Sequence, residues 1–170
     1  NQEGLRLYEE RTQLLISIFD AHTGDFVSST ENTFTGGYRF DLLSGDYKVL
    51  AVSLYRNDLP QQDGLSATWA PAGRSFDDPL AFEYHTSEEA RQVRADIVMN
   101  MDPGGISGSI LSGENMLPVR DMSYLVFAFD ASGFLAKASG YNPSLGPVDG
   151  RYLLSGLGAG EYYLLAGLLT

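Results

Sequence analysis

Apolar runs with strand periodicity recur along the chain, and helical periodicity is almost absent. Leu14-Leu15-Ile16-Ser17-Ile18-Phe19 and Tyr124-Leu125-Val126-Phe127-Ala128-Phe129 are apolar on both faces, which predicts strands central in a sheet. Val49, Ala51 and Ser53 alternate with Leu50, Val52 and Leu54, so a further strand is expected there. Other strands are predicted at 4–9, 27–34, 93–100, 105–111 and 134–138. One stretch reads as helical, Ser87-Glu88-Glu89-Ala90-Arg91-Gln92, where a capping serine precedes an acidic first turn. Residues 57–92 otherwise read as a long loop, with Leu59-Pro60, Asp63-Gly64, Pro71-Ala72-Gly73 and Asp78-Pro79 in quick succession.

Two blocks occur twice, in the same order. Phe19-Asp20-Ala21 and Phe129-Asp130-Ala131 each end an apolar run, and a short carboxylate there can accept turn N–H groups. About twenty residues later come Gly37-Tyr38-Arg39-Phe40-Asp41-Leu42 and Gly150-Arg151-Tyr152-Leu153-Leu154-Ser155. Each leads into a hairpin with an inward leucine (Leu42, Leu157) and a glycine expected to take positive φ (Gly45, Gly160). A tyrosine, Tyr47 or Tyr162, then opens the next strand. The breaker run Asp102-Pro103-Gly104-Gly105 separates the copies and predicts domains at 1–102 and 103–170. The expected class is all-β: two tandem antiparallel Greek-key β-sandwich domains, Ig-like or prealbumin-like.

The segment Asp149-Gly150-Arg151-Tyr152-Leu153-Leu154-Ser155-Gly156-Leu157-Gly158-Ala159-Gly160-Glu161-Tyr162-Tyr163-Leu164-Leu165-Ala166 resembles the signature hairpin of carboxypeptidase regulatory-like domains, relatives of transthyretin-like and collagen-adhesin B-type modules. Gly105-Ile106-Ser107-Gly108-Ser109-Ile110 is similar to their first strand, and the likeness covers most of 104–168. In the first copy it is weaker, the hairpin being one residue shorter. The resemblance implies a seven-stranded Greek-key sandwich, secreted or on the cell surface, without catalysis of its own. Some adhesin relatives form a lysine–asparagine isopeptide bond. Lys48 and Lys137 are the only lysines here, and Lys48 lies in a late strand, so that pattern is not met.

Charge narrows the partners. The chain carries −11, with 17 acidic and 8 basic residues in 1–102 and 5 and 3 in 103–170. An acidic surface argues against nucleic acid, whose phosphates require a basic face. No stretch is long and apolar enough for a membrane helix. The absence of cysteine excludes disulfides and thiol chemistry. The chain opens on Asn1-Gln2-Glu3 without methionine or a basic-then-apolar leader and closes on an apolar run, which reads as a removed signal or a fragment with more chain to follow.

The candidate chemistry is sparse. His22 and His85 are the only histidines, and no Gly-x-Ser-x-Gly elbow accompanies them, so no catalytic residues are assigned. Gly156-Leu157-Gly158-Ala159-Gly160 lies between strands with no helix after it, which suits a turn rather than a phosphate loop. Asp58, Asp63, Asp77, Asp78, Glu83, Glu88 and Glu89 are hard oxygen ligands for calcium, but without EF-hand spacing, so no metal site or cofactor is assigned. Trp69 and Tyr84 are candidate glycan contacts, together with Tyr55 and Tyr141. The alternating run Leu65-Ser66-Ala67-Thr68 favours Trp69 as a core or inter-domain plug.

The reading is therefore a non-enzymatic structural or interaction module of an extracellular or surface assembly. Its expected partners are copies of itself or neighbouring domains of a longer chain. The alternative is a carbohydrate-binding accessory module. The second copy lacks a counterpart to the 93–99 strand, which leaves three fillers: downstream sequence, a strand borrowed from the first copy, or one from a neighbouring molecule. Residues 4–8, where Leu5 and Leu7 alternate with Arg6 and Tyr8, are the expected donor in a head-to-tail filament.

Overall fold

Alternation of apolar side chains gives ten strands in a computed structural model that describes residues 13–31, 37–56, 64–89, 93–113, 115–144 and 148–168. They are β1 (Gln13–Asp20), β2 (Phe26–Glu31), β3 (Gly45–Arg56), β4 (Thr68–Trp69), β5 (Tyr84–Thr86), β6 (Gly104–Ser109), β7 (Tyr124–Asp130), β8 (Leu135–Tyr141), β9 (Arg151–Leu157) and β10 (Tyr162–Leu168). The class is all-β, with no helix among the described residues. Ser87–Glu89 forms no helical turn, and the rest of that expected helix lies outside the described residues.

The chain divides into two units. One holds Asn1–Val52 and Ala67–Asn100, the other Ser53–Ser66 and Met101–Thr170. Residues 53–66, expected in the first domain, thus fall in the second unit.

In the first unit the strand order is β3-β1-β2, and the short β4 and β5 lie along β3. Ile16, Ile18, Tyr47, Val49, Ala51 and Ala70 form its core. The strands expected through Tyr38 and Phe40 and over 93–100 are not ladders. Their alternation is real, because Tyr38, Phe40, Leu42, Ala95, Ile97 and Met99 all pack on the core. Their backbone partners are irregular, however. The Tyr38 hydroxyl donates to the Ala95 carbonyl, Val98 N–H donates to Pro71 O at 2.8 Å, and Asn100 N–H donates to Thr68 Oγ1 at 3.0 Å. Burial pushes the Tyr38 phenol up to about 12. On the opposite side of β3, Trp69 packs between the rings of Phe19 and Phe76, each 5.2 Å away. Lys48 is buried there too, with Nζ donating to Phe76 O at 2.7 Å and lying 4.3 Å from the Phe76 ring centre.

In the second unit the strand order is β10-β7-β8. A two-stranded ladder of β6 and β9 faces it and supplies Leu154, Leu157 and Ile106 to a core shared with Tyr124, Val126, Ala128 and Tyr141. Tyr124 and Tyr141 stack with centres 4.6 Å apart. Their hydroxyls bridge the layers: Tyr124 donates to Arg151 O at 2.6 Å, and Tyr141 accepts Leu153 N–H at 2.9 Å. Lys137 is buried, with Nζ donating to Leu65 O at 3.0 Å.

One pairing departs from the expected fully antiparallel sheets. The last residues of β3 run parallel to β8, with Leu54 opposite Ala138 and Arg56 opposite Gly140. β3 is twelve residues long, about 40 Å at strand rise. Its tail outruns the first core and pairs within the second unit. The tail of β3 thus runs beside β8 and not beside β10.

Similar local hydrogen bonds occur in both units. The Tyr47 hydroxyl donates to Leu43 O at 3.1 Å and the Tyr162 hydroxyl to Gly158 O at 2.9 Å, each four residues back. Asp20 Oδ1 accepts N–H from His22 and Thr23, and Asp130 Oδ1 accepts N–H from Ser132 and Phe134, all within 2.8–2.9 Å. The expected positive φ at Gly45 and Gly160 is absent. Gly156 has it instead, at +76°, where a Cβ would stand 2.3 Å from the Leu65 carbonyl oxygen.

Candidate interaction surface

β10 forms from seven residues with no charge and no proline, Tyr-Tyr-Leu-Leu-Ala-Gly-Leu. Its register with β7 is uninterrupted from Tyr162 opposite Asp130 to Leu168 opposite Tyr124. Tyr162, Leu164, Ala166 and Leu168 therefore share the face of Tyr124, Val126 and Ala128, which points to the core. Tyr163, Leu165 and Gly167 share the outer face with Leu125, Phe127 and Phe129. Only Tyr162 is held by that core. Beyond it both faces are bare: Tyr163 is 65% exposed, Leu164 44%, Leu165 57% and Leu168 48%.

Among the described residues β7 is the only strand beside β10. Edge strands are normally protected by charge, proline or a bulge. β2 carries Ser28-Ser29-Thr30-Glu31 and a register shift at Ile18/Phe19 of its partner β1. β10 has none of these devices. It is an apolar, unbulged edge of the kind that accepts another strand.

The residues singled out earlier fall elsewhere. Leu5 and Leu7 lie outside the described residues, as do Asp58 and Asp63. Trp69 is 2% exposed and presents no flat face to a sugar, in keeping with the core plug. Tyr84 is half-buried, paired opposite Tyr47 and packed on the first core. Tyr141 is buried in the second core. Asp78 builds its own turn by accepting N–H from Arg74 at 2.9 Å and Leu80 at 2.8 Å, and these bonds hold its carboxyl below the ordinary value. Asp77, Glu83, Glu88 and Glu89 are exposed. Among the described residues no three His, Asp or Glu side chains are grouped to hold a metal ion.

The structure brings together one group the sequence did not. Both histidines meet Asp46: His85 Nδ1 lies 2.7 Å from Oδ1 and His22 Nε2 lies 3.1 Å from Oδ2. A carboxylate only accepts, so each ring directs an N–H at it. The bond from His85, then that from His22, lowers the Asp46 carboxyl from its ordinary 3.8. The trio ties the turn after β1 and the strand β5 to the start of β3. The partners lie 24 and 39 positions from Asp46, and no local motif could reveal them.

No helix of the described chain is long and apolar enough to cross a membrane. Comparison with protein-family models, with curated proteins and with solved structures found no match.

Proposed function

We propose that this chain is a non-enzymatic structural and interaction module of a secreted or cell-surface assembly. Its two units are tandem sandwich repeats of the carboxypeptidase regulatory-like kind, and they join neighbouring protein by strand addition at β10. The observation that carries this reading is the bare β10 edge: uncharged, unbulged and exposed on both faces. In strand addition, main-chain hydrogen bonds give affinity and alternate side chains set register. An added strand would pair the outward N–H and C=O groups of β10 and flank Leu164 and Leu168 on one face and Tyr163 and Leu165 on the other. The surface charge of −11 keeps nucleic acid away and solubilises the rest of the module.

The test is a double substitution, Leu164→Lys with Leu165→Lys, followed by light scattering across a concentration series. The intact chain should give species heavier than one chain, and the variant should stay monomeric with an unchanged circular dichroism spectrum. An intact chain that remains monomeric at millimolar concentration, and that the substitutions leave unchanged, would overturn the reading.

A further inference from the structure

The edge of β10 left unpaired among the described residues fits one particular strand, that of a second copy of this chain. We propose that two molecules pair antiparallel along Tyr162–Leu168, about a two-fold axis passing beside Leu165. The proposal rests on the strand-addition reading and names its partner.

Symmetry supplies the first argument. Two identical edges related by a two-fold axis meet antiparallel, and the same patch serves both sides. Full overlap of the seven residues of β10 places Leu165 opposite its own counterpart, Tyr163 opposite Gly167, and Leu164 opposite Ala166. Tyr163 and Leu164 thus meet small residues, while Leu165 meets its own counterpart and Tyr162 meets Leu168. A Cβ added at Gly167 would find nothing within 4 Å, so the space above that glycine is open to a ring from across the pair. An aromatic side chain laid over a cross-strand glycine is a recurrent way to secure register.

Charge supplies the second. Two copies of a chain of net charge −11 repel each other overall, and like charges directly opposed across strands destabilise the pair. β10 carries no charge, and Glu161 falls outside the seven overlapped residues. A charged donor strand would find no counter-charge along this edge, whereas an uncharged one loses nothing, and β10 is itself such a strand.

Area sets the strength. Tyr163 and the three exposed leucines offer on the order of 400 Å² per copy, and edge pairing covers only their flanks, so the pair buries less than about 800 Å², in the range of weak and transient interfaces. A weak, concentration-dependent dimer is expected.

The chain has no cysteine, so a single introduced thiol reports on one position. Leu165→Cys places two sulfurs across the axis, where paired Cα atoms about 4.5–5.5 Å apart lie within disulfide reach. Tyr163→Cys places its two thiols four residues out of register, about 13 Å apart, beyond that reach. With the full chain in a glutathione redox buffer, the Leu165→Cys variant should form a covalent dimer at least tenfold faster than the Tyr163→Cys variant. Its circular dichroism should match the unsubstituted chain. Equal rates, or no dimer from Leu165→Cys, would overturn self-pairing. If Leu165→Cys fails to cross-link while the intact chain still associates and Leu164→Lys with Leu165→Lys abolishes association, strand addition stands with another donor. Loss of association on deletion of residues 1–10 would then identify that donor as the Leu5–Leu7 segment. If neither cross-linking nor association occurs, both readings fall.

Discussion

Leu153 and Leu154 are adjacent on β9 yet face opposite ways, and truncating each to alanine separates burial from every other effect. Leu154 is fully buried opposite Ile106, whereas Leu153 is 45% exposed opposite Ser107. Each substitution removes three carbons and carries the same loss of strand propensity. For Leu154 the transfer contribution is about 2.4 kcal/mol, at about 0.8 kcal/mol per carbon. A residual cavity of up to roughly 70 Å³ adds up to about 1.7 kcal/mol. Leu154→Ala should therefore cost about 2.5–4 kcal/mol, and Leu153→Ala about 1 kcal/mol or less. The Leu153 backbone N–H keeps its bond to the Tyr141 hydroxyl in either variant. Urea titration followed by far-ultraviolet circular dichroism measures the difference. With a slope near 2 kcal/mol/M, Leu154→Ala should lower the midpoint by about 1–2 M. Equal costs, or a greater cost at Leu153, would mean that β9 turns its other face to the core and that the β6–β9 register is wrong.

Gly156→Ala should destabilise by more than about 2 kcal/mol, because it combines left-handed strain with a clash on the Leu65 carbonyl. Gly133→Ala, at φ +86° in open space, should cost only about 1–2 kcal/mol, and thermal midpoints distinguish the two. Asp46 has a lowered folded pKa, so its contribution is fully present above its ordinary 3.8 and is lost as pH falls through the lowered value. The gap in thermal midpoint between the intact chain and Asp46→Asn should thus narrow and close as pH falls below about 4. A gap that persists at pH 2 would contradict this.

Local chemistry is the most legible part of the sequence. Asp20 and Asp130 accept the turn N–H groups that their position after an apolar run implies. Such bonds span two to four residues and need no knowledge of the rest of the fold. The alternation at Tyr38–Leu42 and Ala95–Met99 correctly marks core-facing side chains. It does not make them ladder strands, because periodicity reports which side is buried and not where the backbone N–H groups go. Gly45 and Gly160 suit positive φ only by their place in an expected hairpin, whereas Gly156 has it, and the Leu65 carbonyl there leaves no room for a Cβ besides. The parallel pairing of β3 with β8 and the meeting of both histidines at Asp46 depend on long-range placement, on which sequence spacing carries no information. The composition of β10 is plain in the sequence. Its exposure on both faces is not, since a run of leucine and tyrosine ordinarily signals a core strand.

Burial of Lys48 and Lys137 has a practical consequence for the chain's covalent chemistry. They are its only lysines, so the native surface displays no side-chain amine. Acylating reagents, aldehydes and lysine-modifying enzymes would find these nitrogens occupied by the carbonyls of Phe76 and Leu65, and only opening of the surrounding strands would release them. Acylation of either lysine thereby becomes a clock for local unfolding, one residue in each unit. The permanent positive charge on the outside rests on arginine, whose guanidinium stays charged across the whole working pH range.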